Sequence, residues 1–405
     1  MAGGIGRLSY TAGADGGRVG SLRRDWRNGT TNRTGRALPI VVLAALVLTA
    51  AGAGVVALNG TPRGPGGSVG TVPSDARPSA GRVAPPARPG TTYRDFVFET
   101  ETVTAPTATK AQSKLWYAAD TWWAGMFQPI SNQLHIFKLD WATQHWADTG
   151  TLVDERPQAD PDFLWDGEHL YVVSAGHTDS TRHAGRVLRF SFDEKAERYT
   201  LDHNFPVTVT PSGTSAAVIA IDSIGVLWIA YQQGGRVWIV HSLDHHAHWT
   251  DPFVLPVAGT TVDPGDLASV VAFGPGRIGV MWSNQLDDTV YFSSRVDGAP
   301  SDVWTAPEIV IDDVGSSDDH INLKTYPQTD GGTNVVAALK TSLDALTNPN
   351  PLAPLILLAV REGSGVWTAH QVARVQDRQT RPVVMVDADA REFYVAATSK
   401  RWKSW

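Results

Sequence analysis

A short apolar strand with a polar loop behind it returns six times along this chain, and that recurrence limits what the chain can fold into. The copies are Leu115-Trp116-Tyr117-Ala118-Ala119, Leu170-Tyr171-Val172-Val173-Ser174, Leu227-Trp228-Ile229-Ala230-Tyr231, Ile278-Gly279-Val280-Met281-Trp282, Val335-Val336-Ala337-Ala338-Leu339 and Phe393-Tyr394-Val395-Ala396-Ala397. Their starts lie 51 to 58 residues apart, a spacing typical of propellers and other repeat arrays.

Most copies follow a turn-rich segment, such as Trp165-Asp166-Gly167-Glu168-His169 or Gly274-Pro275-Gly276-Arg277, with another apolar stretch before it. Strand, tight turn and strand make a hairpin. A third strand is expected at 133–139, 186–192, 236–243, 289–296 and 355–361, and a fourth follows Trp146, Tyr199, Trp249, Trp304 or Trp367. Four antiparallel strands per period, with scarcely any helical periodicity, predict an all-β fold: a six-bladed β-propeller of four-stranded antiparallel blades. After the sixth copy too few residues remain for two more strands. The last blade is therefore expected to be incomplete, or to be closed by the alternating segment 93–103.

The residues ahead of the repeats have a different character. Seven arginines (Arg7, Arg18, Arg23, Arg24, Arg27, Arg33 and Arg36) precede an uncharged apolar run at 37–58. These 22 residues, helical at about 1.5 Å each, would cover a bilayer core of about 30 Å. Positive charge on the leading flank puts that flank in the cytoplasm. The division expected is a basic cytoplasmic tail at 1–36, a transmembrane helix at 37–58, a Pro/Gly-rich linker at 59–92 and a propeller at 93–405 outside the cell membrane. A cleaved signal peptide is the rival reading, but the leading region is long for one. Prolines at 62, 65, 73, 78, 85, 86 and 89 keep the linker extended.

The whole chain carries −7, and because tail and linker are basic, the propeller is left near −15. That argues against a nucleic-acid partner, which needs a basic face. There is no cysteine, so disulfides and thiolate metal sites are excluded.

An acidic residue precedes the fourth-strand aromatic by five to seven positions: Asp140, Asp193, Asp244, Asp297 and Glu362. Ser242-Leu243-Asp244-His245-His246-Ala247-His248-Trp249 keeps the spacing of the Ser-x-Asp-x-Gly-x-Thr-Trp box, with His246 in place of Gly and His248 in place of Thr. In this box and in the repeat, the region from about Arg94 to Trp405 resembles the sialidase-like, BNR-repeat (Asp-box) propeller superfamily. The resemblance implies that Asp244 closes a turn and Trp249 packs between blades. Asx turns suit Asp and buried Trp supplies contact area, so the residues carry the same reading. His241, His245, His246 and His248 sit on a strand and turn where their side chains diverge, so no metal site is expected there. A sialidase of the resembling family would bring an Arg-Ile-Pro motif and an arginine triad. The chain has no Arg-Ile-Pro, and the resemblance extends to the fold without those catalytic motifs.

Chemistry in a propeller belongs on the face where the innermost strands begin. The candidate ligand-binding residues at those entries are Asp160, Asp162, Asp266, Asp318, Asp319, His320, Lys324 and Arg381, with Ser113 beside them. The densest piece is Ser317-Asp318-Asp319-His320, where two carboxylates beside an imidazole would hold Ca²⁺, orient a sugar hydroxyl or raise the histidine pKa. No cofactor is required; Ca²⁺ is the ion considered. Trp122, Trp123, Met126, His177, Asp179, Arg182 and His183 are expected to complete the rim. Each such Asp or Ser also has a plain use, satisfying loop backbone donors.

The function expected is a membrane-anchored propeller that binds a glycan or cell-surface polymer, ahead of two alternatives: a glycoside hydrolase using carboxylate acid/base chemistry, and a scaffold for a protein partner. Catalytic residues are not assigned.

Overall fold

The structure, a computed structural model, describes residues 2–9, 11–12, 19–20, 24–27 and 111–399, apart from 158, 177–183, 215, 247 and 329–331. Six antiparallel sheets of four or five strands follow one another along the chain. The first holds Leu115–Ala118, Thr121–Gln128, Gln133–Asp140 and His145–Asp154. The second holds Ala159–Trp165, His169–Gly176, Ala184–Asp193 and Arg198–Leu201, with Val207–Ser212 also paired to its third strand. The third runs from Ala217–Ile221 through Leu227–Gln233 and Arg236–Leu243 to His248–Trp249, and the fourth from Ala268–Phe273 through Arg277–Asn284 and Thr289–Val296 to Glu308–Ile311. The fifth contains Ile321–Pro327, Thr333–Lys340, Pro354–Arg361 and Trp367–Arg374. First strands of successive sheets touch from the first sheet to the sixth, which is the arrangement of a β-propeller.

The sixth sheet differs from the incomplete last blade that the sequence leads one to expect. Its order is Gln379–Asp387, Glu392–Ser399, Ala2–Ser9 and Arg24–Arg27. Ala2 pairs with Ser399 and Ser9 with Glu392 in an unbroken antiparallel register, and Arg27 pairs with Ile5. The last sheet therefore has four strands, two of them supplied by Ala2–Ser9 and Arg24–Arg27. The physical reason is that Glu392–Ser399 would otherwise expose a row of unpaired backbone groups. Segment 93–103 and the apolar run 37–58 lie outside the described residues. No helix among the described residues is long and apolar enough to cross a membrane.

The first repeat is also shifted relative to expectation. Leu115–Ala118 is the first strand of its sheet, whereas Leu170, Leu227, Ile278, Val335 and Phe393 lie in second strands. The turn that follows it is Ala119-Asp120, both with positive φ (48° and 56°). A two-residue hairpin turn of this kind is usually announced by Asn-Gly, and here that signal is missing. Consequently Trp122, Trp123 and Met126 are strand residues, and Trp123 is fully buried instead of lining a rim.

Packing between sheets uses the fourth-strand aromatics. Tyr199 is enclosed by Trp116 and Trp123 of the first sheet, and its hydroxyl accepts the Trp116 indole N–H at 2.8 Å. Trp304 meets Trp228 of the third sheet edge-on, and the Arg295 guanidinium lies 4.4 Å from the Trp228 ring. Trp367 packs on Phe292 and donates to Glu308, both of the fourth sheet. Each fully buried large side chain contributes about 2–3 kcal/mol. Between third and fourth strands, Asp140 accepts the N–H groups of Ala142 and Thr143 at 2.8 and 3.0 Å, and Asp193 those of Lys195 and Ala196 at 2.9 and 3.0 Å. These two are Asx turns, whereas Asp244, expected to close such a turn, meets the His248 side chain at 3.3 Å instead of a backbone N–H of the described residues.

Candidate functional site

The residues before the first strand of the fifth sheet form the densest charged cluster among the described residues. Their loop is pinned on both sides. Ser316 Oγ donates to the Asp288 carbonyl at 2.6 Å, and Ser317 Oγ accepts the Asn284 N–H at 3.0 Å, which ties the loop to the fourth sheet. Ser342 Oγ donates to the Ser317 carbonyl at 2.7 Å, and the Ser342 N–H donates to Gly315, whose φ of +70° suits glycine.

Fixed in this way, the loop converges on His320. Its Nδ1 lies 2.5 Å from Asp318 Oδ1 and 2.6 Å from Asp319 Oδ1. The other Asp318 oxygen meets Lys340 Nζ at 2.7 Å, and Lys340 also reaches Asp344 at 2.9 Å. Burial, the largest single influence, works against a charged imidazole here. The two carboxylates outweigh it, and the His320 pKa lies above its ordinary value of 6.5. Lys340 is raised too, its burial more than offset by Asp318 and Asp344. The other ring nitrogen, Nε2, is buried with no partner, and His320 is 9% exposed. A protonated imidazole thus keeps one N–H unsatisfied, at a cost of about 1–3 kcal/mol unless an acceptor arrives.

The Asp318, Asp319 and His320 ligand-type atoms all lie within 4.8 Å of one another. A nitrogen among them, and an ammonium already holding Asp318, make a poor match to Ca²⁺, which takes six to eight oxygens.

A second group lies further along the first strands. Asp162 is buried; its Oδ1 accepts the Ser113 N–H at 2.5 Å and its Oδ2 the Ile219 N–H at 2.8 Å. Burial is the main influence on its carboxyl, countered by those two N–H groups and by Lys114 and Lys324, and it is pushed up to about 6. Lys324 Nζ donates to Ser113 Oγ at 3.0 Å, and Lys114 Nζ to Asp160 Oδ1 at 3.0 Å. First, second, third and fifth sheets thereby meet through polar groups at their first strands.

Two expected site residues stand elsewhere. Asp266 is taken by local bonds: it accepts the N–H groups of Asp263 and Gln285 at 2.8 and 3.0 Å and the Gln285 side chain at 2.9 Å. Arg381 occupies a bulge of the sixth sheet, with φ of 53° and a buried Nε that has no partner. His177, Asp179, Arg182 and His183 lie outside the described residues. The histidines of the third sheet do diverge: His246 bonds to Gly225 and Tyr171, and His241 lies over Trp228. Sequence reasoning missed Lys340, Ser342 and Asp344. The one available signal was a lysine ending the uncharged stretch Val335-Val336-Ala337-Ala338-Leu339.

No family model matches the chain, and no curated protein matches it. Among solved structures, a triple arginine-to-alanine mutant of AofleA from Arthrobotrys oligospora is similar at 15% identity, over 72% of this chain and 78% of that one, with a TM-score of 0.42. A periplasmic gluconolactonase from Pseudomonas aeruginosa is similar at 18% identity over 65% and 71%, with a TM-score of 0.43. An endo-arabinase from Bacteroides thetaiotaomicron is similar at 14% identity over 62% and 95%, with a TM-score of 0.36.

Proposed function

We propose that the chain is a six-bladed β-propeller that binds a polyhydroxylated ligand, a glycan or cell-surface polymer, on the face where the first strands begin. The observation that supports this most is His320, a buried imidazole fixed between two carboxylates with Nε2 unsatisfied. A sugar hydroxyl suits such a place because it accepts from the imidazolium N–H and donates to a neighbouring carboxylate. The cluster of Asp318, Asp319 and Asp344 against Lys340 and His320 stays anionic, which favours a neutral ligand over an acidic one.

Hydrolysis is the second reading, and Asp162 is its best support. A carboxyl pushed up to about 6 is suited to general-acid work. Both Asp162 oxygens already accept backbone N–H groups, and binding therefore stands ahead of catalysis. Export through an anchor at 37–58 rests on the sequence. A single pass there would leave residues 2–27 and the later sheets on opposite sides of a bilayer, so the anchor and the Ala2–Ser9 pairing are mutually exclusive arrangements.

A glycan and polysaccharide array with the full-length chain tests the reading. Binding that is lost in His320→Gln and Asp319→Asn supports it; an array without signal for the wild type refutes it. Release of chromophore from a reporter glycoside, abolished by Asp162→Asn, would put hydrolysis first.

A further inference from the structure

Two lysines of the fifth sheet, Lys340 buried and Lys324 partly buried, differ in what they meet. Lys340 is saturated by Asp318, Asp344 and the Thr341 carbonyl, at 2.7, 2.9 and 2.9 Å. Lys324 meets a hydroxyl, Ser113 Oγ, at 3.0 Å, and no carboxylate of the described residues stands within ion-pair distance of it. An ammonium drawn partly out of water with a carboxylate only beyond ion-pair reach carries a cost, and losing a proton relieves it. Burial accordingly draws the Lys324 pKa below 10.5, with the Asp162 charge opposing.

Ser113 is held for a role of its own. Its N–H goes to Asp162 Oδ1 at 2.5 Å and its carbonyl accepts the Phe163 N–H at 3.0 Å, which clamps its backbone to the second sheet. The side chain is left to Lys324, and both residues keep partly exposed surface. Lys324 lies four positions after His320, about 13 Å along an extended strand, so the pair is distinct from the His320 cluster.

We propose that Ser113 and Lys324 form a nucleophile and base dyad for acyl transfer from a carboxylic ester. The arrangement is that of a hydroxyl within hydrogen-bond reach of an amine, the requirement for an activated serine. The neutral amine takes the Oγ proton as Oγ bonds to the acyl carbon and the carbonyl π electrons move onto oxygen. Collapse of the tetrahedral species breaks the bond to the leaving alkoxide, which takes the proton from the Lys324 ammonium. Water then attacks the acyl-serine; its proton passes to Lys324 and on to Ser113 Oγ as the acid leaves. Water is the single co-reactant, and the dyad returns to its starting state.

The test is covalent labelling of the full-length chain with a fluorophosphonate probe, followed by peptide mass mapping. The adduct is expected on Ser113, forming faster as pH rises through the lowered lysine pKa, and absent in Ser113→Ala. Lys324→Met is expected to slow labelling about 100-fold. Lys324→Arg is expected to fail as a rescue because a guanidinium stays protonated. Ser113→Ala retains the backbone bond to Asp162 and serves as the folded control by urea denaturation. No adduct on Ser113 of the wild type from about pH 7 to about pH 10, or labelling unchanged in Lys324→Met, overturns the proposal; a lysine that merely latches the sheets would give that result.

Discussion

The Asp162 carboxylate in the second sheet accepts the backbone N–H of Ile219 in the third at 2.8 Å, and with its other oxygen it holds Ser113 ahead of the first. One side chain joins three sheets. Asn322 does a related job between the fifth and sixth, accepting the Val384 N–H at 3.0 Å. Because Asp162 is buried, its carboxyl titrates at about 6 in the fold against 3.8 as the ordinary value. A raised acid pKa favours the protonated folded state. Its contribution is therefore complete below about pH 4 and is lost as pH rises toward about 6, on the order of 2–3 kcal/mol. Urea denaturation across this range should show the decline in wild type and a flatter profile in Asp162→Asn; identical slopes would disprove the assignment.

Gly125 lies in the second strand of the first sheet, directly under the Phe163 ring of the second sheet. A Cβ there would overlap the ring. Gly125→Ala should cost about 1–3 kcal/mol through overpacking, read as a lower urea midpoint. An unchanged midpoint would mean that the two sheets are not packed as described.

Removing residues 1–27 should strip the partner from Glu392–Ser399. Hydrogen exchange at 392–399 is then expected to rise to that of an exposed edge, with the fourth sheet unaffected. Unchanged protection at 392–399 would show that residues 2–9 are dispensable for closure, and would return the N-terminal region to the anchor reading.

Lys340 neutralises Asp318, and His320 supplies nitrogen to the same cluster. Millimolar Ca²⁺ or a chelator should therefore leave the melting temperature where it is. A rise of several degrees on adding Ca²⁺ would reveal a site that binds the folded state and would overturn this account of the cluster.

Much of the architecture was legible because strand, turn and strand recur at a near-constant spacing, and because Tyr199, Trp304 and Trp367 mark the sheet-to-sheet contacts. The first repeat was misplaced because the Ala119-Asp120 turn lacks the usual glycine. Closure by Ala2–Ser9 was not legible at all, since pairing between the two ends of a chain leaves no local pattern. Within the site, adjacency in sequence made Asp318, Asp319 and His320 visible together. Lys340 and Ser113 reach their partners through tertiary packing, 22 residues from Asp318 in one case and 211 from Lys324 in the other. Asp266 looked like its neighbours in sequence, yet its oxygens are used up by Asp263 and Gln285.

His320 ties the account together, because its raised pKa and unsatisfied Nε2 both bear on ligand binding. An imidazolium donor is present in full below its ordinary pKa of 6.5 and is lost as pH rises through the higher value in the fold. The decisive measurement is a glycan array with the full-length chain at about pH 6 and about pH 9, repeated with His320→Gln. Ligand binding at the lower pH, weakened at the higher and lost in the variant at an unchanged melting temperature, is the predicted result. Binding that ignores both pH and the substitution, or no binding by the wild type at either pH, would contradict it.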